Sequence, residues 1–387
     1  MIRLNILVTH PVQYQAPVWR LLASRPGLST HVGFFSEQGV VATVDPGFGR
    51  QVVWDQPLLE GYAFEFITRR PIAELDRFSI PDPRQWFSEK KPDVVFLHGY
   101  TQAFARQVVR HKRQFGYKIL LHGEFSTMGR GRTPVSRFLK YIYLKWFYSQ
   151  VDHFLPIGSD ATRHLQQSGI PDSRMTVAPY CVDDRFFEKQ AASFDRSRCR
   201  DELGLRADQV AFLFSGKMIP RKNPLLLVEA LRGLANDPRV AAIFVGDGEL
   251  RGLVETTAKA TLGNRAIFPG FVNQRDLGRY FKAADVLVLP STFETWGLVV
   301  NEAMHFGLPC LVSEHVGCRL DLVEEGRTGF VFRSGDAEGL REIMGRFLQN
   351  PALCSTLGAE AHARVQGYTV EKAADAIERA ARLVRSS

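Results

Sequence analysis

The stretch AFLFSGKMIPRKNPLLLVEALRGLANDPRVAAIFVG (211–246) holds two short apolar runs, each ending in glycine, with a helical pattern between them from Pro224 to about Ala235. The alternation continues: a helix from about Glu249, the run VLVLP (286–290), a helix from Gly297 to Phe306, and PCLVS (309–313). Buried runs of about five residues separated by helices of about 10–14 predict a parallel sheet covered on both faces, since only such strands are apolar throughout. In a sheet of this kind the ligand sits beyond the carboxyl ends of the strands, so the loops after residues 216, 246, 290 and 313 are where chemistry is expected.

Upstream the same pattern is weaker. LNILV (4–8), DVVFLH (93–98), KILLH (118–122) and HFLPIG (153–158) are strand candidates, with helices near 14–25, 101–115, 134–149 and 159–168. Residues 36–92, rich in Pro, Gly and aromatics, read as irregular. Two doubly wound domains are expected, 1–180 and 183–369, joined near Pro179–Asp195, with a last helix in 370–387 returning to the first.

A chain of 387 residues with 45% hydrophobic and 23% charged residues can bury a sizeable core. No apolar run approaches the roughly 18–20 residues of a spanning helix. The opening MIRLNILVTH reads as a first core strand and not a signal peptide. Five cysteines without C-x-x-C spacing argue against a disulfide framework or a structural zinc site, and a cytoplasmic setting is expected. The net charge of +8 is unevenly placed: residues 1–182 carry 22 basic and 14 acidic side chains, and the remainder 27 of each. Residues 101–150 have ten basic residues against Glu124 alone, a patch suited to an anionic partner.

Three segments of the second half suggest one kind of ligand. SGKMIPRKN (215–223) puts Lys217, Arg221 and Lys222 in one loop before a helix N-terminus, a setting that would neutralise a diphosphate without a metal, although a solvated basic loop is the alternative for this stretch alone. VGDGEL (245–250) makes a glycine turn at Gly246. PSTFETWGLVVNEAMHFGLPCLVS (290–313) sets Glu294 at a strand end, Gly297 at a helix start and Glu302 eight residues after Glu294. A helix-start glycine lets backbone N–H groups approach a phosphate, and carboxylates accept hydrogen bonds from sugar hydroxyls.

Segment 290–313 resembles the E-x7-E signature of retaining nucleotide-sugar glycosyltransferases of family 4, which have the GT-B architecture of two facing Rossmann-like domains with a cleft between them. SGKMIPRKN, VGDGEL, PGFVNQRDLGRYFKAADVLVLPS (269–291) and HVGCRLDLVEEGRTGFVF (315–332) resemble further family segments in the family's order. The first half offers less: a strand ending in His122, and PYCVDDRFF (179–187). The resemblance implies that Glu294 holds hydroxyls of the transferred sugar, Glu302 the ribose, and Lys217 and Lys222 the diphosphate. It gives the backbone of Gly297 and Leu298 to the phosphate and that of Phe271 and Val272 to the base, and it brings His122 to the sugar from the first domain. Lys217 stands where the family has Arg, Asn223 where it has Gly, and Tyr180-Cys181 where it has Asn-Gly.

The reaction implied is retaining transfer of a hexosyl-type sugar from a nucleoside diphosphate to a glycan or glycolipid hydroxyl, in polysaccharide or lipopolysaccharide assembly. No separate cofactor is expected, and the lack of any D-x-D pair suggests metal independence. The loop THPVQYQAP (9–17) is an acceptor-side candidate, with helix capping and packing as the alternative; Glu124 reads as an acceptor base or an exposed loop carboxylate, and His10 and His98, which end strands, read as structural residues. The basic patch suggests peripheral association with the inner face of the plasma membrane, and nucleic acid is not expected. Two other readings stay open: a sugar-nucleotide epimerase or phosphorylase on the same fold, and a non-catalytic protein that binds anionic surfaces.

Overall fold

A computed structural model describes residues 1–125 and 133–386. Its strands, in chain order, are β1 (Ile2–Val8), β2 (Leu28–Phe34), β3 (Thr43–Asp45), β4 (Arg50–Val52), β5 (Ala63–Phe66), β6 (Val94–His98), β7 (Lys118–Gly123) and β8 (His153–Pro156), then β9 (Val210–Ser215), β10 (Val240–Val245), β11 (Ala266–Gly270), β12 (Val286–Leu289), β13 (Cys310–Ser313) and β14 (Gly329–Phe332). Contacts divide the chain into two compact units. The first comprises Met1–Ala42, Pro57–Tyr180 and Val370–Ser387, and the second Thr43–Gln56 and Cys181–Thr369.

Each unit is built on a six-stranded parallel sheet, β5-β2-β1-β6-β7-β8 in the first and β11-β10-β9-β12-β13-β14 in the second. Numbered within its own unit, each has the order 3-2-1-4-5-6 of the doubly wound fold, with the strand order reversing between the first and fourth strands. The expected strands are present. A strand not expected from sequence, β2, precedes the stretch read as irregular, and that stretch itself adds β5, a helix at Pro83–Lys90 and a small antiparallel hairpin, β3-β4, that belongs with the second unit.

Burial explains why these runs became strands. Every residue of β9, β10, β12 and β13 is buried, so apolar side chains on both strand faces have helices to pack against. Phe212, Phe214 and Phe244 lie at the centre of the second unit's core. Arg200 ties the foot of that sheet together. It donates to Asp285 Oδ2 at 3.0 Å and to the carbonyls of Ala283, Arg206 and Gln209, while Asp285 Oδ2 also accepts the Ala211 N–H at 2.8 Å. In the first unit the helix Val370–Ser386 packs on the helix Ala16–Ser24. Arg25 fastens the two, pairing with Glu371, with Asp375 at 2.6 Å and with Glu378 at 3.6 Å.

Candidate functional site

Of the residues named from sequence, Lys217, Lys222, Gly246, Phe271, Val272, Glu294, Gly297, Leu298 and Glu302 lie in the second unit, on the loops that leave β9, β10, β11 and β12 or on the helix after β12. β9 and β12 are the adjacent strands between which the order reverses, the usual ligand crevice of such a sheet.

Lys222 and Glu294 meet there. The ammonium is 2.6 Å from Glu294 Oε1, Arg221 reaches Oε2 at 3.5 Å, and Ser291 Oγ donates to Oε1 at 3.1 Å. Glu294 is 8% exposed, and its backbone is pinned to the neighbouring loop: its N–H donates to the His315 carbonyl, and its carbonyl accepts from Gly317, both at 3.0 Å. Gly297 follows with φ of +101°, a conformation that glycine adopts without strain, and caps the helix Leu298–His305. A hydrogen bond of 2.8 Å from Trp296 Nε1 to Asn301 Oδ1 locks the first turns of that helix. Glu302 lies farther along it. Burial raises the Glu302 pKa to about 7 against the opposing pull of a hydrogen bond from Gln274 and the charge of Lys222. Lys222 is thus the common neighbour of both glutamates.

The Gly246 turn is sterically fixed. A Cβ there would lie 1.9 Å from the Gly216 carbonyl oxygen, because the two loops lie edge to edge, with Gly216 N–H donating to Val245 O and Gly246 N–H to Gly270 O. Lys217 is not part of the Glu294 cluster; its ammonium is gripped by Asp45, 2.8 Å from Oδ1 and 2.9 Å from Oδ2. Phe271, just past β11, has Phe48 edge-on at 4.9 Å. No local signal ties Asp45 or Phe48 to this site, although DPGFG (45–49) is a recognisable turn sequence.

His122 ends β7 in the first unit and is 7% exposed. Its Nδ1 is 3.0 Å from His98 Nδ1 and its Nε2 3.3 Å from the Ala178 carbonyl. Burial, and for His122 the neighbouring His98, lower the pKa values to about 4 for His98 and about 3 for His122, so both rings are neutral near pH 7. The Tyr180 hydroxyl donates to Glu124 Oε1 at 3.1 Å and lies 3.2 Å from His98 Nε2. Burial raises the Tyr180 and Tyr14 pKa values, and Glu124 adds to each shift. Gln15 Nε2 closes the group, 3.4 Å from His98 Nδ1. The sequence marked these residues singly; that they form one buried polar network is visible only in the fold.

Among the described residues no group of three His, Cys, Asp or Glu side chains is arranged to hold a metal ion, and the five cysteines are free.

Two doubly wound parallel sheets, one with a lysine and two glutamates gathered where its strand order reverses, define an α/β protein of the GT-B class. Residues 195–364 match the family described as glycosyl transferases group 1, and residues 11–181 the glycosyl transferase 4-like domain. The chain belongs to the family-4 type of GT-B glycosyltransferases.

One relative is the D-inositol 3-phosphate glycosyltransferase of Streptomyces scabiei, 32% identical over 56% of this chain and 50% of its own length. Another is the alpha-monoglucosyldiacylglycerol synthase of Acholeplasma laidlawii, 23% identical over 90% of this chain and 95% of that protein. Anabaena HepE, solved with UDP and glucose, shares the fold with a TM-score of 0.72 at 18% identity, covering 98% of this chain and 99% of its own. The chain spans about half the length, or less, of the first curated relatives it matches.

Proposed function

We propose that this protein transfers a sugar, with retention, from a nucleoside diphosphate donor to a hydroxyl of a membrane-linked glycan or glycolipid. The observation that carries the reading is the Lys222–Glu294 pair with Glu302 beside it at the β9/β12 reversal. Departure of the nucleoside diphosphate builds negative charge at its terminal phosphate. A preset ammonium and the N–H groups at Gly297 and Leu298 stabilise that charge without reorganising. In the free protein Lys222 is neutralised by Glu294; with donor bound, Lys222 turns to the phosphate and Glu294 accepts from the sugar hydroxyls. The acceptor proton has two candidate destinations, the donor phosphate and the Glu124–Tyr180 pair of the first unit. The two curated relatives named above are a glycosyltransferase and a synthase, which lends the epimerase, phosphorylase and non-catalytic readings no support.

Thermal-shift measurements with UDP, GDP and ADP test the reading, UDP first because HepE was solved with it. Stabilisation by one of them, followed by EDTA-insensitive turnover of the matching sugar nucleotide, is the expected result. Indifference to all three would overturn it.

Donor affinity should depend on pH. Ionised Glu302 accepts from both ribose hydroxyls, whereas the protonated acid spends one oxygen as a donor. With a pKa of about 7, its ionised fraction rises with pH, and affinity should rise by roughly tenfold between pH 6 and 8. Calorimetry on Glu302→Gln separates this from titration of the nucleotide's own phosphate, because the difference between the two proteins should vanish at low pH. A pH-independent difference would count against the role.

The acceptor proposal draws on the helix Pro134–Gln150. Phe147 and Tyr148 are buried, but Phe138, Leu139, Tyr141, Ile142 and Trp146 are exposed. Beside them a groove of about 680 Å³ is lined by Arg137, Lys140, Lys145 and Arg174 together with Tyr141 and Leu144. Arg130 and Arg132 of the basic stretch lie outside the described residues. No helix among the described residues is long and apolar enough to cross a membrane. Exposed aromatics flanked by cations suit shallow insertion among anionic headgroups, at about 1 kcal/mol for each basic residue near the surface. Co-sedimentation with anionic vesicles should fall with salt and with Arg137→Glu/Lys140→Glu. Equal binding to neutral vesicles at low salt would point instead to a soluble acceptor.

A further inference from the structure

The hairpin segment Thr43–Gln56 packs with the second unit although it is encoded within the first half of the chain, and its contacts fall on the loops that carry the donor-site residues. At its tip the Asp45 carboxylate is held in place by the N–H groups of Gly47 at 2.8 Å and Phe48 at 3.1 Å. Held this way, and 8% exposed, it presents both oxygens to the Lys217 ammonium at 2.8 and 2.9 Å. Phe48 lies 5.0 Å from the same ammonium and edge-on to Phe271. The Gly47 carbonyl presses on the Gly246–Gly248 turn so closely that a Cβ on Gly248 would come within 2.9 Å of it. On the far strand Arg50 lies over the Phe271 ring, 5.1 Å from its centroid, and 3.9 Å from Asp247. The segment ends against the next helix, where Asn273 Nδ2 donates to the Val53 carbonyl at 2.7 Å and the Arg275 N–H to Asp55 at 3.0 Å.

A lysine expected to bind a diphosphate therefore already holds an anion, and the loop expected to meet the base is already covered by aromatic and cationic side chains of the same segment. A carboxylate that gives two oxygens to one ammonium reproduces the charge and the acceptor geometry that a phosphate would offer it. We propose that Thr43–Gln56 is a donor-displaced strap, with Asp45 as a tethered substitute for a donor phosphate on Lys217. The strap rests on the reading of this site as the donor site. A nucleoside diphosphate displaces Asp45 from Lys217 because it brings more than one negative charge to the same ammonium. When it does, Phe48 and Trp54, whose ring lies 6.4 Å from that of Phe271, leave Phe271, so occupancy of the phosphate position is reported at the base position.

Calorimetric titration of UDP, GDP and ADP into the wild-type protein, Asp45→Asn, Lys217→Ala and the double variant tests this. Asp45→Asn should tighten binding of the accepted nucleotide by about two- to fivefold, the scale of one partly exposed ion pair. The gain should disappear in the Lys217→Ala background, because it arises from the freed ammonium. Iodide quenching supplies a second measurement. Saturating nucleotide should make Trp54 more accessible to iodide, and Trp54→Phe should abolish that increase. Unchanged or weaker binding by Asp45→Asn, or a Trp54 more protected with nucleotide bound, overturns the strap while leaving the donor site standing. If none of the three nucleotides binds any of the proteins, the donor-site reading fails and the strap falls with it.

Discussion

Replacing Lys222 by alanine is expected to lower sugar transfer by about 10²–10³-fold, the loss of about 2.7–4 kcal/mol that follows removal of one preset donor from developing charge. Lys222 is the shared neighbour of Glu294 and Glu302, so no second cation takes over: Arg221 reaches only the outer oxygen of Glu294, at 3.5 Å. The fold should survive, since Ser291 and Arg221 still satisfy the Glu294 carboxylate and the loop backbone stays bonded to His315 and Gly317. Initial rates with the identified sugar nucleotide, beside an unchanged circular dichroism spectrum, are the measurement. Turnover within a few fold of wild type would remove Lys222 from the chemistry.

Arg200→Ala should produce the largest loss of stability. The guanidinium is 8% exposed by side chain and bonds Asp285 and three carbonyls, so its removal takes one of two arginines from Asp285, which keeps Arg196 at 2.6 Å, and leaves buried carbonyls without donors. A buried acceptor left without its donor typically costs about 1–3 kcal/mol, so losing three lowers Tm in a unit of this size by roughly 10 °C. Differential scanning calorimetry decides between this and a surface-like effect of a degree or two.

The second sheet was legible in the sequence because its central strands are buried on both faces, so that runs such as VAAIFV are apolar at every position. The first sheet was half legible for the opposite reason. β2 interrupts its apolar residues with Ser29, His31 and Gly33, and β5 at the sheet edge has no buried residue, so neither carries a run long enough to read. The placing of Lys222 and Glu294 on loops and of Glu302 on the helix after β12 followed from the strand ends, but their pairing did not, because it depends on which strands are neighbours. Asp45 is the extreme case: it lies 172 residues from Lys217, and nothing local to either announces the contact. His122 was found as a strand-end residue, while its bonds to His98 and Ala178 depend on the neighbouring β6 and on a chain segment 56 residues away.

The helix Val370–Ser386, clamped by Arg25 against the helix Ala16–Ser24, sets an order of events during synthesis. Each ribosome makes the six strands of the first sheet early, yet Ala374, Ile377 and Ala381, which are buried in that unit, are made only after the whole second unit has been translated. At rates of about 5–20 residues per second, the roughly two hundred residues between Tyr180 and Val370 keep the first unit waiting for some 10–40 seconds with an apolar face uncovered. The half of the protein that emerges first is therefore the last to be finished, and a nascent chain stalled before residue 370 should be the form most dependent on chaperones.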